Sequence, residues 1–312
     1  MRWLYLELTG RADSAAEFAR SASAWLTEGR TELFPELSRR LPTARVLRRY
    51  SHDLDAVVGP PGATWANVVV RREATPFRGV RSALYAPQAW QRLLAGLAAE
   101  YPFTISLFLT PLDAAGRLID ATTAVSVVVA RDYGDPRWVR FIMKAPASLI
   151  GWPGGARAGE GRAEEDWIAF LERWAGRLDA CYGHLTDDAD DIYGTALEMA
   201  TQRPGMAPPT VPRCREVLRG YSWVTICAAE LAQRLGGVPA LFASGAFYQV
   251  RELPGGQVLL RATPRLAQYT GDAVARVFAV LAPVLLPGRA SAASAPTGAR
   301  LVTGADAADF QR

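Results

Sequence analysis

Side chains able to shuttle protons, attack as nucleophiles or hold metals are few in this chain. There are two histidines, His52 in the run YSHDLD and His184 in CYGHLTDD. Histidine is the usual proton shuttle near neutral pH. His52 adjoins Asp53, but neighbours in sequence do not make a dyad. His184 lies three residues after Cys181 and three before Asp187, so a Cys–His–Asp grouping is open on spacing alone. Nothing in the flanking sequence lowers the thiol pKa, and an ordinary hydrogen-bonded histidine near a turn accounts for the same residues. Asp187, Asp188, Asp190 and Asp191 form the densest carboxylate group. A hard cation would need several of those oxygens to converge, but Gly194 comes too early for an EF-hand and no Glu closes the loop. A solvated helix start is the plainer reading, with the carboxylates against the positive end of the helix dipole; a docking surface for a basic partner is a third. No GxSxG, HExxH or Walker loop occurs. The glycines of residues 151–163 neither follow a strand nor open a helix in dinucleotide-binding register. The sequence predicts no catalytic residue, no cofactor and no metal.

Cys181, Cys214 and Cys227 fit no zinc or CxxC spacing. An odd number of cysteines in 312 residues reads as reduced thiols in a cytoplasmic protein, and Cys227, within an apolar strand, as a small core residue. Half the residues are apolar and 21 % are charged, which excludes a disordered chain. Basic residues number 35 against 31 acidic, for a net charge of +4, and Lys144 is the sole lysine. No clustered basic face is visible, so nucleic acid is not expected as a partner. The N-terminal MRWLYLELTG alternates and lacks a small-residue cleavage site, as a first strand does and a signal peptide does not. No run of 18 apolar residues occurs, so no transmembrane helix is expected.

The elements that would position these residues follow from periodicity and turn chemistry. Trp3 to Leu8 reads as a strand, and Asp13 or Ser14 as the cap of a helix running to about Leu26. Residues 28–62 are ambiguous, with Arg45 to Tyr50 as a candidate short strand. Trp65 to Arg71 alternates as a strand, and a loop with Pro76 and Gly79 follows. Pro87 opens a helix running to about Glu100. Phe103 to Leu109, Thr122 to Ala130 and Trp138 to Lys144 form an antiparallel meander. Residues 151–163 read as a linker and Glu164 to Leu178 as an amphipathic helix. Cys181 to Leu185 reads as a short strand, and Asp187 or Asp188 caps a further helix. Tyr221 to Cys227 alternates as a strand, Ala228 to Leu235 is a short helix stopped by Gly236-Gly237, and Pro254-Gly255-Gly256 joins a hairpin of Phe247 to Leu253 with Gln257 to Thr263. Asp272 to Leu281 is the last helix. The pattern predicts an α+β fold, helices packed on one face of antiparallel sheet. Domain organisation reads as an N-terminal half (1–150), a C-terminal half (164–288) and a mobile tail (289–312), or one continuous domain. Tyr221 and Trp223, two apart, share a strand face; they pack in the core or form an exposed pair that anchors a partner.

Residues 219–288 resemble the C-terminal part of the type VI immunity family, the TsiV-like proteins. There a GYxW strand precedes a short helix ending in LGG, a hairpin with a PGG turn, and a helix leading to a LAPVLP-like end. Here these read Gly220-Tyr221-Ser222-Trp223, Leu235-Gly236-Gly237, Leu253-Pro254-Gly255-Gly256 and Leu281-Ala282-Pro283-Val284-Leu285-Leu286-Pro287. Asp191-Ile192-Tyr193-Gly194 matches an upstream element. The resemblance implies a cytoplasmic bacterial antitoxin that binds a cognate protein toxin, often a nuclease, and blocks it without catalysis. Asp187, Asp188, Asp190, Asp191 and Tyr193, with Tyr221 and Trp223, are the expected partner contacts. Two other readings stand beside it: an enzyme using His184, Cys181 and the Asp187 to Asp191 group, and a structural or assembly subunit.

Overall fold

The structure, a computed structural model, describes residues 3–50, 55–75, 78–119, 124–149, 160–187, 194–201 and 210–311. In chain order the elements are β1 (Trp3–Arg11), α1 (Ala15–Glu28), α2 (Pro35–Arg39), β2 (Thr64–Arg71), β3 (Val80–Leu84), α3 (Pro87–Glu100), β4 (Thr104–Pro111), β5 (Val125–Arg131) and β6 (Trp138–Pro146). They continue with α4 (Glu160–Arg177), β7 (Tyr182–Thr186), α5 (Ala196–Thr201), β8 (Val224–Cys227), α6 (Ala229–Arg234), α7 (Gly237–Ala243), β9 (Gln249–Glu252), β10 (Val258–Arg261) and α8 (Asp272–Leu281). The fold is α+β, with antiparallel strand pairs throughout the described ladders.

Two compact units divide the chain, and the division differs from the expected one. One unit is Ala12–Pro146; the other joins Met1–Arg11 to Ala147–Arg312. The second unit resumes at Ala147, and β1 belongs with it. Alternation along a strand reveals that it is a strand and not which strand it pairs with.

In the Ala12–Pro146 unit the strand order is β3-β2-β4-β5-β6. β2 buries Thr64, Ala66, Val68 and Val70 and half-exposes the residues between, the period of two expected of a pleated strand. α1 and α3 pack on one another, and α1 also meets β5 and β6. The Ser14 hydroxyl caps α1 by accepting from the Glu17 amide at 3.1 Å, and Trp25 on its buried stripe donates to the Ile142 carbonyl. β3 was not foreseen, since its residues are exposed apart from a half-buried Leu84. Arg45 to Tyr50, a candidate strand, forms no strand; it is an exposed loop in which only Leu47 is buried.

In the other unit the order is β1-β7-β8-β10-β9. β1 and β7 run antiparallel with Glu7 opposite His184. The β9–β10 hairpin turns on Pro254-Gly255-Gly256; Gly256 has φ +80°, a conformation glycine adopts without penalty. Two expectations about this unit are corrected. Cys181 and Cys214 are joined in a disulfide rather than reduced; partners 33 residues apart in sequence reveal nothing of their contact in space. Residues 289–312, expected to be mobile, are pinned as far as they are described. The Gly288 amide donates to Asp306 at 2.9 Å, Arg300 pairs with Asp187, and Phe310 packs edge-on to Phe278. Low-complexity composition hid these separate anchors.

Candidate functional site

The densest assembly of charge in the β1–β7–β8 unit is closed off from solvent. Arg219, just before β8, is fully buried together with Glu7 on β1 and Glu198 on α5. Its guanidinium uses both edges. Nε and Nη2 donate to the two Glu198 oxygens at 2.8 and 3.1 Å, a bidentate fork. Nη1 donates to Glu7 and, at 2.8 Å, to the Thr9 hydroxyl. Glu198 is itself fixed by a capping box at the start of α5: its Oε2 accepts from the Thr195 amide at 2.6 Å while the Thr195 hydroxyl accepts from the Glu198 amide at 3.1 Å. Thr210 donates to Glu198 Oε1, and Tyr5 donates to Glu7 Oε2 at 3.1 Å. All four carboxylate oxygens are therefore hydrogen-bonded. Burial alone would lower the Arg219 pKa, but the facing Glu198 and Glu7 hold it well above its ordinary value.

Tyr182 lies against this cluster, with the Arg219 guanidinium 5.0 Å from its ring centre. Burial, together with the two glutamates and against the pull of Arg219, drives the Tyr182 hydroxyl pKa well above its ordinary value, so it stays protonated. It meets His184 Nδ1 at 2.9 Å, and the Tyr5 ring stacks edge-on to the imidazole. A Cβ on Gly220 would stand 2.9 Å from the Thr195 hydroxyl oxygen, which explains a glycine at this buried position. Carboxylates and a guanidinium this enclosed and mutually hydrogen-bonded fix the geometry of the unit's interior.

The grouping of Cys181, His184 and Asp187 is not assembled. Cys181 is committed to its disulfide with Cys214. His184 faces Tyr182 and Tyr5. The Asp187 carboxylate, expected on the surface, is enclosed and paired with Arg300, whose Nη2 lies 3.2 Å from Oδ2. The remaining thiol, Cys227, is buried, and burial pushes its pKa up to about 12. Among the described residues no three His, Cys, Asp or Glu side chains gather as a metal site would need.

Of the expected partner contacts, Tyr221 and Trp223 lie in the interior, and the Asp187 side chain is enclosed in its ion pair. Trp223 is fully enclosed and donates to the Thr263 carbonyl at 2.9 Å, with Arg261 over its ring. The Tyr221 hydroxyl accepts from the Val302 amide at 2.8 Å, and its ring meets Phe278. Both precede β8 rather than lying in it and pack in the core, because side chains with this much apolar area are drawn inside unless a partner covers them. Asp188, Asp190, Asp191 and Tyr193 lie outside the described residues, as do His52 and Asp53. Sequence reasoning missed the Glu7–Arg219–Glu198 cluster. Two signals could have found it: the Thr195-x-x-Glu198 capping box, and a lone Glu7 inside an otherwise apolar strand.

This fold has a solved counterpart. The structure is similar to that of the Pseudomonas aeruginosa T6SS protein PA0821, with a TM-score of 0.53 and 15 % identity, over 91 % of this chain and 77 % of that one. At that identity the likeness is one of fold. No protein family and no curated protein matches the chain in sequence. No helix among the described residues is long and apolar enough to cross a membrane.

Proposed function

We propose that this protein is an immunity protein, which binds a cognate protein toxin and neutralises it without making or breaking a covalent bond. The observation that carries this reading is the fold likeness to a T6SS protein along 91 % of the chain. It agrees with the resemblance of residues 219–288 to the type VI immunity family, whose toxins are often nucleases. The chemistry of the interior supports the same reading. The buried ionic groups are spent on one another, Cys181 is oxidised and Asp187 is ion-paired, as suits a molecule that works by presenting a firm surface. An inhibitor needs a patch of roughly 800 Å² on its own side and no catalytic groups.

The test is co-expression with the product of the neighbouring gene. Growth should be arrested by that product alone and restored by this protein. A neighbour that is harmless alone, or equally toxic in the presence of this protein, removes the proposal.

A further inference from the structure

The formal charge is unevenly shared. Ala12–Pro146 holds seventeen basic and thirteen acidic residues, whereas the remainder of the chain holds eighteen of each, so the whole excess of +4 belongs to the first unit. Five of its arginines, Arg39, Arg40, Arg45, Arg48 and Arg49, fall within eleven consecutive residues that contain no acid, a basic cluster that corrects the expectation of none. Arg39 and Arg40 share Glu36. Arg45, Arg48 and Arg49 are exposed and make no ion pair among the described residues.

The loop bearing them is built into place. The Arg48 amide donates to the Val58 carbonyl at 2.7 Å, the Val58 amide to the Gly116 carbonyl at 2.9 Å, and the Trp65 indole to the Arg48 carbonyl at 2.9 Å. Val58, Leu112 and Leu118 form a small core beneath, and Leu47 approaches Gly59 closely. Three loops, residues 41–50, 55–63 and 112–119, are thus tied together. They leave Val46, Val57 and Ile119 exposed by 45, 51 and 62 %. The acids within the cluster are already engaged, Asp113 and Asp55 lying 2.9 and 3.7 Å from Arg117.

We propose that this loop cluster is a docking surface for a protein partner that presents an apolar centre bordered by carboxylates. Arginine beside exposed aliphatic side chains is the makeup of an interface core and its rim, and unpaired arginines steer an acidic face into register. A phosphate backbone would use the arginines but gain nothing from Val46, Val57 and Ile119. The proposal rests on the immunity reading and adds the chemistry of the toxin face. For a nuclease, whose substrate cleft is basic, the grip would fall beside the cleft rather than in it.

The experiment is calorimetric titration of the full chain with the purified product of the neighbouring gene, at low and high salt, and with duplex DNA as a parallel probe. Arg45→Glu/Arg48→Glu/Arg49→Glu should weaken protein binding about 100-fold or more, and Val57→Ser/Ile119→Ser should weaken it about tenfold. An unchanged melting temperature confirms folding of both variants. Affinity unchanged by the arginine variant overturns the surface and leaves the immunity reading intact. Binding that meets these expectations without rescue of growth supports the surface and removes the immunity reading. Failure of the gene product to bind overturns both. DNA binding of similar strength, lost in the same arginine variant, overturns the protein-partner assignment in favour of nucleic acid.

Discussion

Arginine does opposite work in the two units. Arg219 is enclosed between Glu7 and Glu198, with every carboxylate oxygen hydrogen-bonded. Arg45, Arg48 and Arg49 stand in solvent with no ion-pair partner among the described residues. A desolvated charge depends on all of its neighbours, so removing one member strands the others. A solvated charge depends on none and remains available to something outside the molecule. One cluster therefore uses charge to specify the interior around it, and the other displays it.

The largest effect that would test this contrast is Arg219→Ala. It leaves two glutamates buried without their counter-ion and should cost about 3–5 kcal/mol, read as the shift in urea midpoint. The triple change of Arg45, Arg48 and Arg49 to alanine should stay within about 0.5 kcal/mol. Similar losses in the two variants would erase the distinction. Next comes the Cys181–Cys214 bridge. Closing a loop of that length restrains the unfolded chain by about 3–4 kcal/mol, so Cys181→Ser/Cys214→Ser should melt well below the wild type, measured without reductant. Thiol titration under the same conditions should find no reactive group in the native protein and one, Cys227, after denaturation, since burial holds its pKa at about 12.

Gly220→Ala sharpens the comparison at smaller scale. The new methyl would crowd Thr195, and a loss of about 1–3 kcal/mol is expected from overpacking. The smallest effect concerns Asp306. Hydrogen bonds from the amides of Ala308 and Gly288 hold its pKa below the ordinary carboxylate value. A depressed folded-state pKa stabilises above the unfolded pKa, and that contribution fades as pH falls through the folded one. The melting difference between wild type and Asp306→Ala should shrink on acidification; a constant difference would show that the carboxylate charge is irrelevant.

Much of the fold was legible because its signals are local. Ser14 announced its helix, Pro254-Gly255-Gly256 its hairpin, and α8 runs from Asp272 to Leu281 as its apolar stripe predicts. Antiparallel pairing of β4, β5 and β6 followed from short connections. What escaped was pairing at a distance: β1 with β7, Cys181 with Cys214, Asp187 with Arg300, Glu7 with Arg219. Local sequence reports what a segment prefers, and only the assembled chain decides whom it meets. The candidate surface illustrates the same limit. Its arginines lie within five residues of one another in sequence, but the loops bearing Val57 and Ile119 are tied to theirs by contacts such as Val58–Gly116 and Arg48–Val58.

The pairing of Thr9 with Tyr182 has a consequence for how the molecule is made. On the ribosome the first strand emerges long before its neighbour exists, while everything from Ala12 to Pro146 can already condense on itself. That stretch is in effect a guest inserted within a host, and the host's sheet must wait for the guest's synthesis to finish before its first strand finds a home.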